Sequence, residues 1–288
     1  MKKGRIYLAL ILIFSTILGM YTGCGNKKTQ AETVTAERLI EKAEEAIKGA
    51  ASMTGKMAVE ISMDYSAGGV DATLELIMNQ DMELTKDPEA VHITGTLDID
   101  LSGITMDTEV YAVKDGDKYM MYTKAGGQWV KQASEAMPAP ADVSKTLELM
   151  KKDTETLKFT GPENSDKKQV YQVDAVVHGE GLAAEIMASV GNLLEKDTDA
   201  NADLDTKITA RIDSENGALL ELAIDLTDSY NAAMQSQKEA QGFDEVTVTA
   251  FKVTMTDYTL NTVSEILVPD DVKSGAVDMD AAETEMNL

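Results

Sequence analysis

Between Met53 and Val113 apolar and polar residues alternate in four consecutive runs, and few chain geometries accept such a pattern. Successive side chains of a strand point to opposite faces, whereas a helix repeats about every 3.6 residues. In the first run Met53, Met57, Val59, Ile61, Met63 and Tyr65 share one phase, and Thr54, Lys56, Glu60, Ser62 and Asp64 the other. The second sets Val70, Ala72, Leu74, Leu76, Met78, Met82 and Leu84 against Asp71, Thr73, Glu75, Asn79, Asp81 and Glu83, broken only by Ile77. The third sets Val91, Ile93, Leu97, Ile99 and Leu101 against His92, Thr94, Thr96, Asp98 and Asp100; the fourth is weaker, with Ile104, Met106, Val110 and Ala112 apolar. Gly68-Gly69, Asp87-Pro88, Ser102-Gly103 and Asp115-Gly116 are turn chemistry, and connections this short join antiparallel neighbours. The pattern predicts a meander with one apolar face, and something must cover that face.

The remaining chain mixes helices with further strands, giving an α+β fold class. Thr35 can cap a helix whose stripe is Leu39, Ala43, Ala46 and Ile47, with Glu37, Glu41, Glu44 and Glu45 outside it and Gly49 at its end. Strands follow at Tyr119 to Thr123 and around Trp129. After Pro138 and Pro140 the spacing of Val143, Leu147 and Met150 predicts a helix from Asp142 to about Lys152, and Gln169 to Val177 returns to strand. A second helix carries a broad apolar face of Leu182, Ile186, Met187, Val190, Leu193 and Leu194. Strands resume at Leu204 to Ile212 and Leu220 to Leu226, and Ser229 to Gly242 reads as a long polar connection, partly helical. In the last long strand the apolar phase moves from Val246 and Val248 to Phe251, Val253 and Met255, which predicts a bulge near Ala250. The acidic end from Ala276 to Leu288 lacks periodicity and is expected to fray.

The N-terminus bears on location. Lys2, Lys3 and Arg5 precede an apolar run from Ile6 to Leu18, the layout of a secretory signal. Cys24 follows Thr22 and Gly23, which resembles the lipobox of bacterial lipoproteins, with Tyr21 where leucine is usual. The resemblance implies acylation of Cys24; an uncleaved membrane anchor is the alternative, and both put the body outside the cytoplasmic membrane. The organisation expected is a signal segment over residues 1–23, a tether over 24–33, a domain over 34–274 and an acidic tail over 275–288. Cys24 is the single cysteine, so no internal disulfide can brace the fold. The formal charge of -24 argues against nucleic acid as a partner. The 17 methionines fit either ordinary core filling or an adaptable cavity.

Catalytic chemistry is sparsely provided. His92 sits in the polar phase of its strand and His178 beside Gly179, both read as surface or edge residues without a nucleophile motif. Ser165 to Lys168 matches S-x-x-K in a charged turn, and Gly49 to Lys56 departs from a phosphate loop by one residue, with Met57 where a magnesium-binding hydroxyl belongs. Asp197, Asp199, Asn201, Asp203 and Asp205 resemble the start of a calcium loop, but Ala202 replaces the turning glycine and Ile208 the bidentate glutamate. No catalytic residue, cofactor or metal is assigned; a solvated acidic linker is the simpler reading of the five.

Asp117, Lys118 and Tyr119 before Gly127, Gln128 and Trp129, together with Val268, Pro269 and Val272 after the final strand, resemble the LolA and LppX-like superfamily, and most nearly lipoproteins of Gram-positive bacteria placed in it. The resemblance implies a curved half-barrel whose concave apolar face is covered by helices around a cavity for a lipid or other hydrophobic molecule. Met57, Ile61, Leu74, Leu76, Met78, Ile93, Leu97 and Ile99 on the strands, with Leu182, Ile186, Met187 and Val190 on a covering helix, are then the lining candidates. A carrier must match about 0.8 kcal/mol for each methylene it takes from a membrane, which requires a long cavity. The partners implied are the membrane, through the lipidated N-terminus, and a hydrophobic small molecule. The alternative is an envelope lipoprotein that binds other proteins and fills its own core.

Overall fold

In the computed structural model the alternating runs form β1 (Ser52–Ala67), β2 (Val70–Lys86), β3 (Glu89–Ile99) and β4 (Ile104–Asp115), followed by β5 (Lys118–Ala125) and β6 (Gln128–Ser134). A second meander comprises β7 (Lys158–Ser165), β8 (Lys168–Val177), β9 (Thr206–Asp213) and β10 (Leu219–Asp225), and the chain ends with β11 (Glu245–Leu260) and β12 (Val277–Asp278). The structure describes residues 34–125, 127–134, 143–152, 157–165, 168–178, 205–239 and 242–279. The predicted Leu182 to Leu194 helix and most of the acidic connector lie outside them.

The strands make one 12-stranded sheet in the order β12-β6-β5-β4-β3-β2-β1-β11-β10-β9-β8-β7. β11 is the seam: it pairs with β1 on one side and β10 on the other, joining the two meanders. All neighbours are antiparallel except β12, which runs parallel to β6. β7 and β12 stand at opposite ends of the order, so the sheet is an open half-barrel. Val34 to Leu288 forms a compact unit on its own, and every hydrogen bond and core contact described below is internal to it.

Two helices cover the concave face. In α1 (Ala36–Gly49) the Thr35 hydroxyl accepts from the Arg38 N–H at 3.3 Å, the expected cap. At the other end the Lys86 ammonium donates to the carbonyls of Ile47 and Lys48, placing a cation on the negative pole of the helix. Leu39 and Ala43 are buried as expected, Ala46 and Ile47 are only half-buried, and Ile40 is fully buried. α2 (Val143–Lys152) buries Val143, Leu147 and Met150 as its spacing predicts. The helices pack on each other, α1 also reaching β9 and α2 β8, over a core that includes Leu222, Ile208, Phe251 and Met255.

Glu44, expected outside the α1 stripe, is buried in the seam between the helices. Its carboxylate accepts from Lys48 and, at 3.1 Å, from Lys151 of α2. The hydrogen bond from Lys48 first, and then that from Lys151, hold the carboxyl below its ordinary range against the opposing effect of burial.

A third helix, α3 (Thr227–Gln237), replaces most of the expected loop and closes an edge. β10 pairs with β11 only over Thr256 to Lys252. Beyond that, the free edge of β11 is met by side chains: Thr227 Oγ1 accepts from the Phe251 N–H at 3.0 Å, Asn231 Oδ1 accepts from the Val248 N–H at 2.9 Å, and Gln235 donates to the Val246 carbonyl. An uncovered edge invites pairing with another chain, which these bonds prevent locally. The bulge expected near Ala250 is present, since Ser62 faces Ala250 while Met63 faces Val248.

The C-terminal segment crosses to the convex face. Ala51 N–H donates to Asn261 Oδ1 at 2.7 Å, Asn261 N–H to the Ser52 carbonyl at 2.8 Å, and Val263 N–H to Ser52 Oγ at 3.1 Å. Asn261 has a φ of 61°, a region asparagine tolerates better than most residues, and the chain bends there. Ile266, Val268 and Val272, the last in α4 (Asp270–Gly275), then pack with Ala90, Tyr111 and Tyr122 in a separate core. Val277 and Asp278, expected to fray, pair with Val130 and Lys131 as β12, because Ala276 is held in that core.

Candidate apolar binding face

Residues directly opposite in an antiparallel pair share a face, so the register traces the concave wall. One row runs Ile104, Ile99, Leu76, Ile61 and Phe251 from β4 to β11; the next runs Met106, Leu97, Met78, Val59 and Val253. Two rows further on, Val110, Ile93 and Met82 meet Gly55. All eight strand candidates, Met57, Ile61, Leu74, Leu76, Met78, Ile93, Leu97 and Ile99, therefore lie on this one face. Ile61, Leu76, Met78 and Ile93 are buried in core clusters, whereas Met57, Leu74, Leu97 and Ile99 are half-buried. Leu182, Ile186, Met187 and Val190 lie outside the described residues.

Cover on this face is unequal. Over β8 to β11 it is closed by α1 and α2, but at the β3–β4 hairpin Ile104 and Met106 are 48% and 43% exposed and Leu101, in the turn, 56%. Single exposed apolar residues are ordinary, whereas adjoining ones on one face mark a contact surface. Ile104 stands opposite Ile99, and Met106 opposite Leu97, so these four adjoin.

The middle of the wall is polar in three places. Thr108 stands opposite Gly95, and Gly95 opposite Gln80. A Cβ on Gly95 would lie 2.0 Å from the Asn79 carbonyl oxygen, so the strands approach more closely here than any side chain allows. Tyr258 is the third, its ring placed over Gly55. Gln80 and Thr108 were legible as polar breaks in their strands; Tyr258 depends on a bulge.

The convex face holds His92. His92, read as a surface residue, is partly buried and stacked on Tyr111 with ring centres 4.1 Å apart and planes 7° from parallel. Its Nε2 lies 3.3 Å from Glu109 and its Nδ1 3.6 Å from Glu83. Burial first, and then the Glu109 carboxylate, push the Tyr111 phenol up to about 12. The C-terminal segment explains the difference: it turns the polar phase of β3 to β5 into a second core.

Elsewhere, a shallow polar concavity of about 530 Å³ lies at the end of β1, β2 and β11, with Asp64, Asp71 and Glu245 in its lining. Tyr65, Ala72 and Val246 also line it, interleaved with these carboxylates, which suits an alkyl chain poorly. Of the calcium candidates only Asp205 is described, 2.5 Å from His178 Nδ1, and Asp197, Asp199, Asn201 and Asp203 lie outside the described residues. Among the described residues no three His, Cys, Asp or Glu side chains are placed to hold a metal ion, and no helix is long and apolar enough to cross a membrane.

An open antiparallel half-barrel with helices on its concave side and an apolar end left half-covered is the class of protein these features define. The chain belongs to a family of unknown function (DUF6612), whose pattern matches residues 35–277. Among solved structures it is similar to LprF from Mycobacterium bovis, at 14% identity over 81% of this chain and 96% of that one, with a TM-score of 0.45. It is also similar to the LolA superfamily protein NE2245 from Nitrosomonas europaea, at 11% identity over 83% of this chain and 97% of that one, with a TM-score of 0.19. Neither likeness says what this chain binds. No curated protein matches the sequence.

Proposed function

We propose that this protein is a lipid-anchored lipoprotein on the outer face of the bacterial cytoplasmic membrane that binds or carries a lipid or similar hydrophobic molecule, without catalysing a reaction. The unequal cover of the concave face carries this reading: an apolar row runs from Ala175 of β8 through Ile208, Ile224, Val253, Val59, Met78 and Leu97 to exposed Met106, with exposed Ile104 beside it. Such an end gives an apolar ligand a place to enter and a dry surface to follow. Anchoring is supported by the signal-like segment from Met1 to Gly23 and by Cys24 in its lipobox-like setting. The wall candidates are Met57, Ile61, Leu74, Leu76, Met78, Ile93, Leu97 and Ile99, with Leu182, Ile186, Met187 and Val190 as candidate cover.

The test is direct. Protein lacking residues 1–24, secreted and purified without detergent, is extracted with organic solvent and weighed intact by native mass spectrometry. A copurified apolar molecule near one per chain is expected, and protein that is empty from several hosts would overturn the reading. Metabolic labelling with an alkyne fatty acid should mark the full chain and not Cys24→Ser.

One observation favours the second reading, a self-filled envelope protein that binds other proteins. Ile61, Leu76 and Met78 belong to the same core as α1 and α2, so much of the wall already has protein against it. A stoichiometric protein captured from envelope extracts, with no extracted lipid, would establish it.

A further inference from the structure

Two hydroxyls of the concave face, Tyr258 Oη and Thr108 Oγ1, are shielded from solvent and meet no hydrogen-bond partner among the described residues. A third, Ser144 Oγ, lies in the first turn of α2. Buried polar atoms are nearly always paired, because an orphan loses its water and gains nothing, so each exception calls for a partner that the described residues do not supply.

Tyr258 is aimed by a built device. Met255 is on the concave face opposite Met57, and strict alternation from it would send residue 258 to the convex side. Instead the register shifts between Thr54 and Lys56, Asp257 takes a φ of 56°, and its carboxylate is held by Lys56 at 3.0 Å. Bulges of this kind re-aim a side chain. Gly55 makes the room: it faces Met82 on the concave side, and a Cβ there would meet the Tyr258 ring at 3.5 Å. Tyr258 as a whole is partly exposed while the oxygen at its tip is not. Burial pushes the phenol up, so it keeps its proton and can donate.

Thr108 belongs to the adjacent row, which continues through Gly95, Gln80 and Met57. The charged residues of the concave phase, Lys86, Glu89 and Lys114, stand at one end of β2 to β4, where Lys86 reaches the end of α1 and Glu89 accepts from Lys114 at 2.9 Å. The rows from Ala112 to Ile104, followed through their register partners to β11, carry no charged residue. An ionised ligand group would be buried there without a counter-charge, which is strongly unfavourable.

Resting on the carrier reading above, we infer that Tyr258 is the hydrogen-bonding anchor for a neutral amphiphile, an alkyl chain bearing a hydroxyl or ester oxygen, with Thr108 as a second polar contact along the same wall. The alkyl part follows the Met, Leu and Ile rows toward Ile104, and the oxygen satisfies the phenol.

The experiment loads the chain lacking residues 1–24 with the neutral fluorophore N-phenyl-1-naphthylamine and displaces it with 1-dodecanol or with dodecane. For Tyr258→Phe the dodecanol needed should rise roughly 5- to 10-fold, the effect of one lost hydrogen bond, while dodecane is unchanged. Thr108→Val should give a smaller loss of the same kind and serves if the phenylalanine variant misfolds. Equal dodecanol potency in the variants and the wild type, with a raised melting temperature, would overturn the inference and leave the hydroxyls as internal water sites. If wild-type protein takes up neither fluorophore nor dodecanol, the carrier reading itself fails.

Discussion

On the β8 to β11 side of the sheet the concave face is sealed, with Leu147 and Met150 of α2 fully buried against Leu222 and Ile208. On the β2 to β4 side the same face is buried at Met82, Val91, Ile93 and Ala112 but ends half-open at Ile104 and Met106, and the convex side carries a core of its own, formed by Tyr111, Tyr122, Val268 and Val272. One amphipathic pattern thus has two fates. Where α1 and α2 pack, the apolar phase becomes ordinary core; at the β3–β4 hairpin it stays exposed and becomes a surface available to a ligand, and the convex core adds to the stability of that end. Function is therefore expected at the end that contributes least to the helix-covered core.

Mutations can break this contrast. Truncating a sealed residue should cost most: Leu147→Ala is expected to lose about 2–5 kcal/mol in urea unfolding, since it removes packing and leaves a cavity. A loss under about 1 kcal/mol would mean that α2 is not part of the core. Gly95→Ala tests the close approach of strands between the two regions. With a Cβ 2.0 Å from the Asn79 oxygen the backbone must move, and a cost of about 1–3 kcal/mol is expected. A neutral result would show that β2 and β3 can separate freely.

Glu44 sharpens the sealed side by pH. Its carboxyl binds a proton less readily folded than unfolded, so its contribution is fully present above the ordinary glutamate value of 4.5 and is lost as pH falls through the lower folded value. Glu44→Gln should flatten the acid limb of the stability curve and cost about 1 kcal/mol at pH 7, given that Lys48 and Lys151 are partly solvated. An unchanged acid limb would remove the seam from the account. The smallest effect is expected at the open end. Ile104→Ala should change stability by no more than about 0.5 kcal/mol yet weaken fluorophore uptake, and the opposite pattern would make the hairpin core and not entrance.

Much of the molecule was legible because strict periods leave little choice. The β1 to β3 alternation, the Thr35 cap, the inward face of α2 and the bulge near Ala250 all follow from local pattern. The exceptions share a cause: each depends on a distant segment arriving. Glu44 looks like any exposed helical glutamate until α2 brings Lys151. His92 and Tyr111 look like a polar phase until residues 262 to 276 fold over them. Thr227, Asn231 and Gln235 look like loop residues until the edge of β11 beside them lacks a strand.

The sequence by itself determined the strands, their apolar phase and the antiparallel meanders, because alternation and turn chemistry act between neighbours in the chain. Only the tertiary structure decided which part of the apolar wall is closed, that the convex face has its own core, and that Tyr258 points inward. Those outcomes depend on contacts between residues far apart in sequence and on a single register shift opposite Gly55, which reverses a side chain without changing the alternation around it.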